Sequence, residues 1–569
     1  MMATPAEEVC ETSDKHTTTV SCQVARHKQD APWKLRLIYL QCYFLSIATI
    51  LGTGILGLPV TIAQAGLAPF LVSFILGFFI QALLIYLFVD LLQRCRVAQM
   101  NKLKTAETER ILLHDVGTEE TFLAAEEEEE GEEAEEADMG LLHRDNTAID
   151  LKEKLEPNLH VLGVLFLGKN MSRAFNVILL FQFVSIGISY VLAGSEAYAA
   201  LFNVSHIYII PVFTWTLSLG ILLAQVVIQP ITSVLTLLKG VLLIITVAVT
   251  FVVGSEVHQE TTNDFAQIGK PFLMGTVALG GIVNVMPFLF SQISHSKSQI
   301  LWFRRVVLGG LATCTVLNIL WCWAVLEIVP QMTVQRVLEE GGLNSSGVLM
   351  QAPVPTHTFI YSNISLEDSE KAGEIATIPL TKIITQRYRR FTWVADLIQI
   401  FIAVSITVSF LVMGSAMKHT LGGMVNTQGD MMTEWMSRLR ARILQRNLQC
   451  CNNTKGLASG LASFLAFALI FIVSASDPKG FVVILDKVVS FSLNTEVGLF
   501  IFVMLRTAQS DHFKNFTVPL PVGELGSSLI WALPVYFLFA VGYDIVQSLV
   551  EIVEGFYLPH FPFSNSSVL

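Results

Sequence analysis

Eleven apolar stretches, near 37–64, 68–93, 173–201, 206–228, 231–253, 271–293, 305–329, 391–416, 457–476, 481–505 and 527–553, interrupt an otherwise polar chain. Each reaches the roughly 20 residues that a helix needs to cross hydrocarbon. Inside a bilayer the backbone has to satisfy its own hydrogen bonds, so only helices and closed barrels cross. These runs are far longer than barrel strands, so the expected class is an all-α polytopic membrane protein with about 11 transmembrane helices. Composition agrees: 53% of the 569 residues are hydrophobic and 15% are charged. The net charge of −11 comes largely from "EEEEEGEEAEEAD" at 126–138, which holds ten acidic residues. A run of that density repels itself and reads as disordered. The basic residues form no patch suited to nucleic acid.

Lysine and arginine in the loops set the expected orientation. The 417–456 loop carries Lys418, Arg438, Arg440, Arg442, Arg446 and Lys455, and the 294–304 loop carries Lys297 and Arg304. Both face the cytosol if residues 1–36 are a cytosolic tail. That tail has no apolar core, so no cleaved signal peptide is expected. The remaining layout follows: helices 1–2 over 37–93, an acidic disordered cytosolic loop over 94–172, helices 3–7 over 173–329 and an outer loop over 330–390. Helix 8 follows at 391–416, then a basic cytosolic loop at 417–456, helices 9–11 over 457–553 and an outer tail at 554–569. The sequons at Asn344 and Asn363 fall in the outer 330–390 loop and are the expected glycosylation sites. Within the basic loop, 432–448 places Met432, Trp435, Met436, Leu439 and Ile443 on one helical face with arginines elsewhere, a pattern suited to anionic lipid. Packing of that helix on the bundle fits nearly as well. Cys450 and Cys451 follow it as palmitoylation candidates.

The first apolar run contains "ILGTGILGLPVTIAQAG" (50–66), with Gly52, Gly54, Gly57 and Pro59 in eight residues. Glycine and proline both weaken a helix, and within hydrocarbon broken backbone belongs where it lines a cavity. Inverted-repeat transporters use such broken helices to hold substrate near the midplane, in corresponding positions of their two halves. Five spans on, "PFLMGTVALGGIVNVMPFLF" supplies Gly275, Gly280, Gly281 and Pro287, with Asn284 between. The alternative is that these glycines only let helices pack closely.

The stretch "GTGILGLPVTIAQAG" resembles the first-span signature of the amino acid/auxin permease superfamily, which includes sodium-coupled neutral amino acid transporters. The likeness continues in "AVSITVSF" of the eighth span and "VVSFSLNTEVGLFIFVML" of the tenth. The resemblance implies a LeuT-type inverted repeat of two five-helix units plus an eleventh helix, with broken helices 1 and 6, moving amino acids with sodium or protons. It implies that Leu51, Gly52, Thr53, Gly54 and Ile55 face the substrate's carboxylate. Ala278, Leu279, Gly280 and Gly281 would offer carbonyls to its ammonium, with Asn284 beside them. Sodium-coupled relatives carry an asparagine ligand four residues before the first glycine of the motif; here that position is Ala48, which has no side-chain oxygen. The hydroxyls on the sodium side of the eighth span have counterparts in Ser405 and Thr407.

Lys239, in "TLLKGVLLII" of the fifth span, has two expected placements. It snorkels to the cytosolic interface, or it reaches inward to the first and eighth helices and stands in for a bound cation. Glu196 is expected in solvent near an outer end. Asp396 and Asp544 are open between an outer vestibule and a pairing role, and Asp90, Asp486 and Lys487 are boundary residues. No enzyme is expected: "GTGILG" lacks the strand–helix surroundings of a dinucleotide loop, and neither His295 nor the eight cysteines have partners at metal spacing. No cofactor is expected, and the coupling ion is H+ or Na+. The expected function is secondary transport of amino acids or related small solutes. The alternative is a membrane sensor or scaffold that binds amino acid without moving it, its acidic loop engaging a cytosolic protein. "DMGLL" at 138–142 resembles an acidic-dileucine signal, pointing to a lysosomal or endosomal membrane, with the plasma membrane as the other location.

The orientation is testable by glycosidase shift on Asn→Gln variants. Glycan is expected at Asn344 or Asn363 and not at Asn170, Asn452 or Asn515. A glycan on Asn452 inverts the arrangement.

Overall fold

The computed structural model describes residues 32–122, 157–223, 225–257, 261–332, 334–338, 357–361, 364–427, 454–476, 484–514 and 516–557. The acidic run, the 432–448 segment, Cys450, Cys451, Asn344, Asn363, the 138–142 motif and both tails beyond 32 and 557 lie outside them.

Eleven described helices are long and apolar enough to cross a membrane: Trp33–Thr61, Leu67–Lys102, Lys169–Phe202, His206–Leu223, Ile231–Glu256, Gly269–Ser291, Lys297–Leu326, Arg389–Val425, Ala458–Ser476, Lys487–Ala508 and Ala532–Val550. They are referred to below as the first to eleventh spans. The protein is a multi-pass, all-α membrane protein. One two-stranded antiparallel hairpin, Val334–Leu338 with His357–Tyr361, lies outside the spans.

Side chains on several spans are apolar all round, and burial separates them into inner and outer helices. The first and sixth spans are almost wholly enclosed, whereas the fourth, ninth and eleventh expose large apolar faces. In a bilayer such faces meet lipid rather than water.

Neighbour relations repeat at an offset of five spans. The first packs on the fifth and seventh, and the sixth on the tenth and second. The eighth packs on the fifth and fourth, and the third on the tenth and ninth. The first meets the sixth and the third meets the eighth, as self-paired partners. Five is an odd number, so if every span crosses, the second set runs opposite to the first.

Several boundaries differ from the sequence expectation. The second helix continues from the membrane to Phe122, into the segment expected to be a disordered loop. Residues 94–122 are rich in Ala, Leu, Glu, Lys, Arg and Gln, which favour helix without needing an apolar partner. Within the same expected loop, Leu159–Phe166 is a short buried helix that packs on the third, eighth and tenth spans. Its apolar sequence LHVLGVLF has to leave water, and Asn158 caps it by accepting from the Val161 N–H at 2.8 Å. The eighth span runs on as helix to Thr427, past the expected end at 416. Lys418, expected in a loop, donates to the carbonyls of Ile221 and Leu222 at 3.0 and 3.3 Å, where the fourth span ends. A cation there satisfies carbonyls that the helix leaves open. In the 330–390 segment, helices Leu366–Ala372 and Thr377–Arg387 replace plain loop.

His160 sits in the Leu159–Phe166 helix, 2% exposed, with Nδ1 at 3.0 Å from Asn176 Oδ1. Burial pulls its pKa below the usual histidine value, with the Asn176 hydrogen bond opposing. The folded state then binds fewer protons than the unfolded one. Stability is present above the unfolded value, about 6.5, and is lost as pH falls below it. Hydrogen-exchange protection in 159–166, taken relative to the intrinsic exchange rate at each pH, is therefore expected to fall on acidification through pH ~6.5, and to lose that pH dependence in His160→Gln. An unchanged profile in the variant would remove the histidine from the account.

Candidate functional site

The first span keeps helical geometry without interruption from Pro32 to Thr61. The expected break at Leu51–Ile55 is absent. Glycine costs a helix about 1 kcal/mol per residue where water competes for the backbone. Here Leu51 and Ile55 are fully buried, and without water the intrahelical bond is the only partner for each N–H. The glycines serve contact instead. A Cβ on Gly52 would sit 2.8 Å from Ser409 Cβ and 2.8 Å from Tyr190 Oη, and one on Gly54 would sit 2.9 Å from Asn318 Oδ1 and 3.0 Å from Ala278 Cβ. The packing alternative therefore describes both residues in this conformation. The side chain of Thr53 is outside the description.

The carbonyls of this helix are where it departs from an ordinary span. Pro59 has no N–H, so the carbonyl of Ile55, four residues back, loses its helical donor. Trp321 Nε1 of the seventh span supplies the replacement at 2.7 Å. Two turns earlier, the Ala48 carbonyl accepts from Lys239 Nζ at 2.9 Å and from Ser409 Oγ at 3.2 Å. Cys314 Sγ lies 3.7 Å from the Ile47 carbonyl.

Lys239 does not snorkel. It is 0% exposed, and its ammonium bridges three spans. Besides Ala48 of the first, Nζ donates to the Ser405 carbonyl at 3.3 Å and to Ser409 Oγ at 3.0 Å in the eighth. The three described ion pairs are Arg94–Asp90, Lys270–Glu370 and Lys371–Glu367, so none includes Lys239. Three oxygens on two helices thus hold a cation without a counter-charge. Ser409 in turn donates to the Ser405 carbonyl at 2.9 Å and meets the Tyr190 hydroxyl of the third span. Ala48, Lys239 and Ser405 are brought together; Thr407 is not, because its hydroxyl pairs with Tyr198 at 2.9 Å. Ser405 contributes its carbonyl, while its own hydroxyl has no partner.

The sixth span is interrupted, as its glycines led one to expect, but only by one residue. Helix ends at Gly280 and restarts at Ile282, with Gly281 at φ −55°, ψ −20° between. Gly280 accommodates Leu493 of the tenth span, and Gly281 faces Thr49 of the first at 3.7 Å. Ala278 and Leu279 are buried on the same turn. Asn284, one turn beyond the interruption, is 3% exposed, and neither amide atom has a hydrogen-bond partner. Asn318 Oδ1 of the seventh span is likewise without one. A buried amide is usually satisfied by protein or by water, so these atoms have capacity left for a polar partner.

Other charged residues take different places from those expected. Glu196 is part-buried beside Glu374 rather than in free solvent, and Oε2 has no partner. Asp90 is buried and paired with Arg94 at 2.8 Å, and Asp544 is buried. Asp396 is exposed. No group of three His, Cys, Asp or Glu suited to a metal occurs among the described residues. The four described cysteines, Cys42, Cys95, Cys314 and Cys322, are free and buried. Ser409, Tyr190, Asn318, Gln182 and Glu496 escaped the sequence reading. Of these, only Glu496 carried a signal, an acidic residue in the middle of an apolar run.

No protein-family model and no curated protein matches the chain. Among solved structures it is similar to the manganese transporter of Eremococcus coleocola in complex with an aromatic bis-isothiourea substituted compound. The identity is 11%, 95% of each chain is covered, and the TM-score is 0.47. A histidine-to-alanine mutant of that transporter matches at 12% identity over 94% of this chain and 91% of the other, with a TM-score of 0.47. At these values the likeness says nothing of what this chain binds.

Sterics at the two helix contacts give opposite expectations. Gly52→Ala overpacks the Ser409–Tyr190 contact and is expected to cost about 1–3 kcal/mol. Gly281→Ala has room and an α-helical backbone, so it is expected to be neutral or to stabilise by about 0.5 kcal/mol. Thermal unfolding of both in detergent distinguishes them. Equal losses would remove the steric account.

Proposed function

We propose that this chain is a secondary transporter of amino acids or related small solutes, working by alternating access about its first and sixth spans. In this reading the Lys239 ammonium stands where a sodium-coupled relative holds its ion. The observation that carries it is the bridge from Lys239 Nζ to the Ala48 carbonyl, the Ser405 carbonyl and Ser409 Oγ. Those atoms belong to the first and eighth spans, the two helices whose relative position an alternating-access cycle has to change. A second cation ~4 Å away would be repelled by about 4 kcal/mol at an effective dielectric of 20. Coupling is therefore assigned to protons or exchange, and sodium is left out.

Recognition of the solute falls to the sixth span more than to the first. Because the first helix keeps its own backbone bonds, its N–H groups are not free for a carboxylate. The helix pauses at Gly281 in the middle of this span, and a helix start there would favour an anionic group. Asn284 offers both a donor and an acceptor beside it. The membership in the amino acid/auxin permeases suggested by the first-span motif, and a LeuT-type inverted repeat, belong to this same reading. The five-span recurrence of helix contacts supports it.

The test is uptake of a labelled amino acid mixture by proteoliposomes, with choline replacing sodium and at two external pH values. Wild-type flux is expected to persist in choline and to depend on pH. Lys239→Ala is expected to lose that pH dependence, with Lys239→Met, which fills the same space, as the control for folding. Strict sodium dependence overturns the coupling. Ligand-induced stabilisation without any flux would favour a sensor.

A further inference from the structure

Glu496 lies in the middle of the tenth span and is 0% exposed. It takes part in none of the described ion pairs. The side chain it meets is Gln182 of the third span, itself fully buried. The Gln182 amide acts on the carboxyl, although none of the four polar atoms makes a hydrogen bond of full geometry among the described residues. A carboxyl this deeply buried without an ion pair is costly unless it is neutral. The backbone marks the same place. A π-helical turn begins at Glu496 and runs to Ile501, and such turns are frequent at functional sites.

The repeat in the fold adds an independent observation. Lys239 lies within the fifth span and Glu496 within the tenth, five spans later. Lys239 joins the first and eighth spans. At the same offset its counterpart should join the sixth and third, and Asn494 Nδ2 donates to Thr276 Oγ1 of the sixth at 2.9 Å while Glu496 faces Gln182 of the third.

We propose that Glu496 and Gln182 form a proton-binding site, with the proton carried on the Glu496 carboxyl. One O–H bond forms on the carboxylate as one O–H bond of a hydronium ion breaks, leaving water. The carboxyl O–H then donates to Gln182 Oε1, while Gln182 Nε2 donates to the other carboxyl oxygen. That arrangement satisfies all four atoms; an ionised carboxylate would leave Gln182 Oε1 without a donor. A hard metal cation fits less well, since it takes about six oxygens and the pair supplies three.

Among the described residues no charged group acts on the carboxyl: Asp90 and Arg94 of the second span pair with each other at 2.8 Å, and His160 of the Leu159–Phe166 helix lies 3.0 Å from Asn176. On the third span, Tyr190 and Glu196 lie 8 and 14 residues beyond Gln182, about 12 and 21 Å along the axis. On the eleventh span, Gly498 abuts Phe537 and Leu538, the Tyr536 hydroxyl reaches Gly77 of the second span, and the Tyr543 hydroxyl reaches Gly269 of the sixth. Asp544 is six residues past Leu538, about 9 Å along that helix. On the tenth span itself, Arg506 stacks over Trp531 at 5.3 Å, and Lys487 is nine residues before Glu496.

The test is infrared spectroscopy of the full-length protein in lipid nanodiscs near neutral pH, which reads the proton without requiring transport. A protonated-carboxyl C=O band that shifts on deuterium exchange is expected in wild type and is expected to vanish in Glu496→Gln. Gln182→Met keeps the carboxyl and removes its partner, so the band should move to higher frequency. If Glu496→Gln does not fold, this second comparison carries the test. A wild-type spectrum with no band assignable to Glu496, a band unmoved in Gln182→Met, or one abolished by sodium or potassium chloride at constant pH overturns the proposal.

Discussion

An ammonium group without a carboxylate, held on two carbonyls and a hydroxyl, is the interaction on which the centre of this protein turns. A buried lysine in hydrocarbon is expensive unless each N–H finds an acceptor. Lys239 has three donors, and it meets three oxygens. Because those oxygens lie on the first and eighth spans while the lysine stands on the fifth, the charge can be satisfied only when three helices are in one arrangement. A structure of this kind has a built-in reason for preferring one helix arrangement over another.

The first span carries the complementary half of that arrangement. Its helix is continuous, yet its carbonyls serve partners in other spans at Ile47, Ala48 and Ile55, and at Leu56 a partner in the 364–387 segment. Pro59 explains one of them directly, by withdrawing the donor from Ile55. The glycines explain how the neighbours come near enough, since any side chain at Gly52 would meet Ser409 and Tyr190. Close approach and shared carbonyls act together: small residues bring the eighth span close, and its hydroxyl then reaches the first helix. The sixth span differs in that its helix pauses at Gly281 while the backbone stays α-helical, with the unpartnered amide of Asn284 following it.

Periodicity and length made the membrane helices legible at once, because spanning hydrocarbon leaves so little freedom. Their ends were less legible. The helix over 94–122 needs no apolar pattern, and the Leu159–Phe166 segment is too short to register as a span, though it buries one face against the third, eighth and tenth spans. The Gly-rich run in the first span read as broken backbone because glycine and proline weaken a helix in water; within a packed membrane interior the backbone has no other partner, and the helix persists. Glu496 was hidden by its surroundings, since a single acidic letter within an apolar run gives no indication of what faces it.

By itself the sequence determined that the chain crosses a membrane through about eleven helices, that its glycines and prolines concentrate in the first and sixth, and that a lysine sits within the fifth. Each follows from local chemistry: hydrocarbon length, backbone freedom and the cost of charge. Only the tertiary structure decided that Lys239 turns inward to the Ala48 and Ser405 carbonyls, that Trp321 takes the carbonyl Pro59 leaves open, and that Glu496 meets Gln182. Those contacts join residues up to hundreds of positions apart, and a side chain's partner across a bundle depends on helix rotation and spacing, which no single helix encodes.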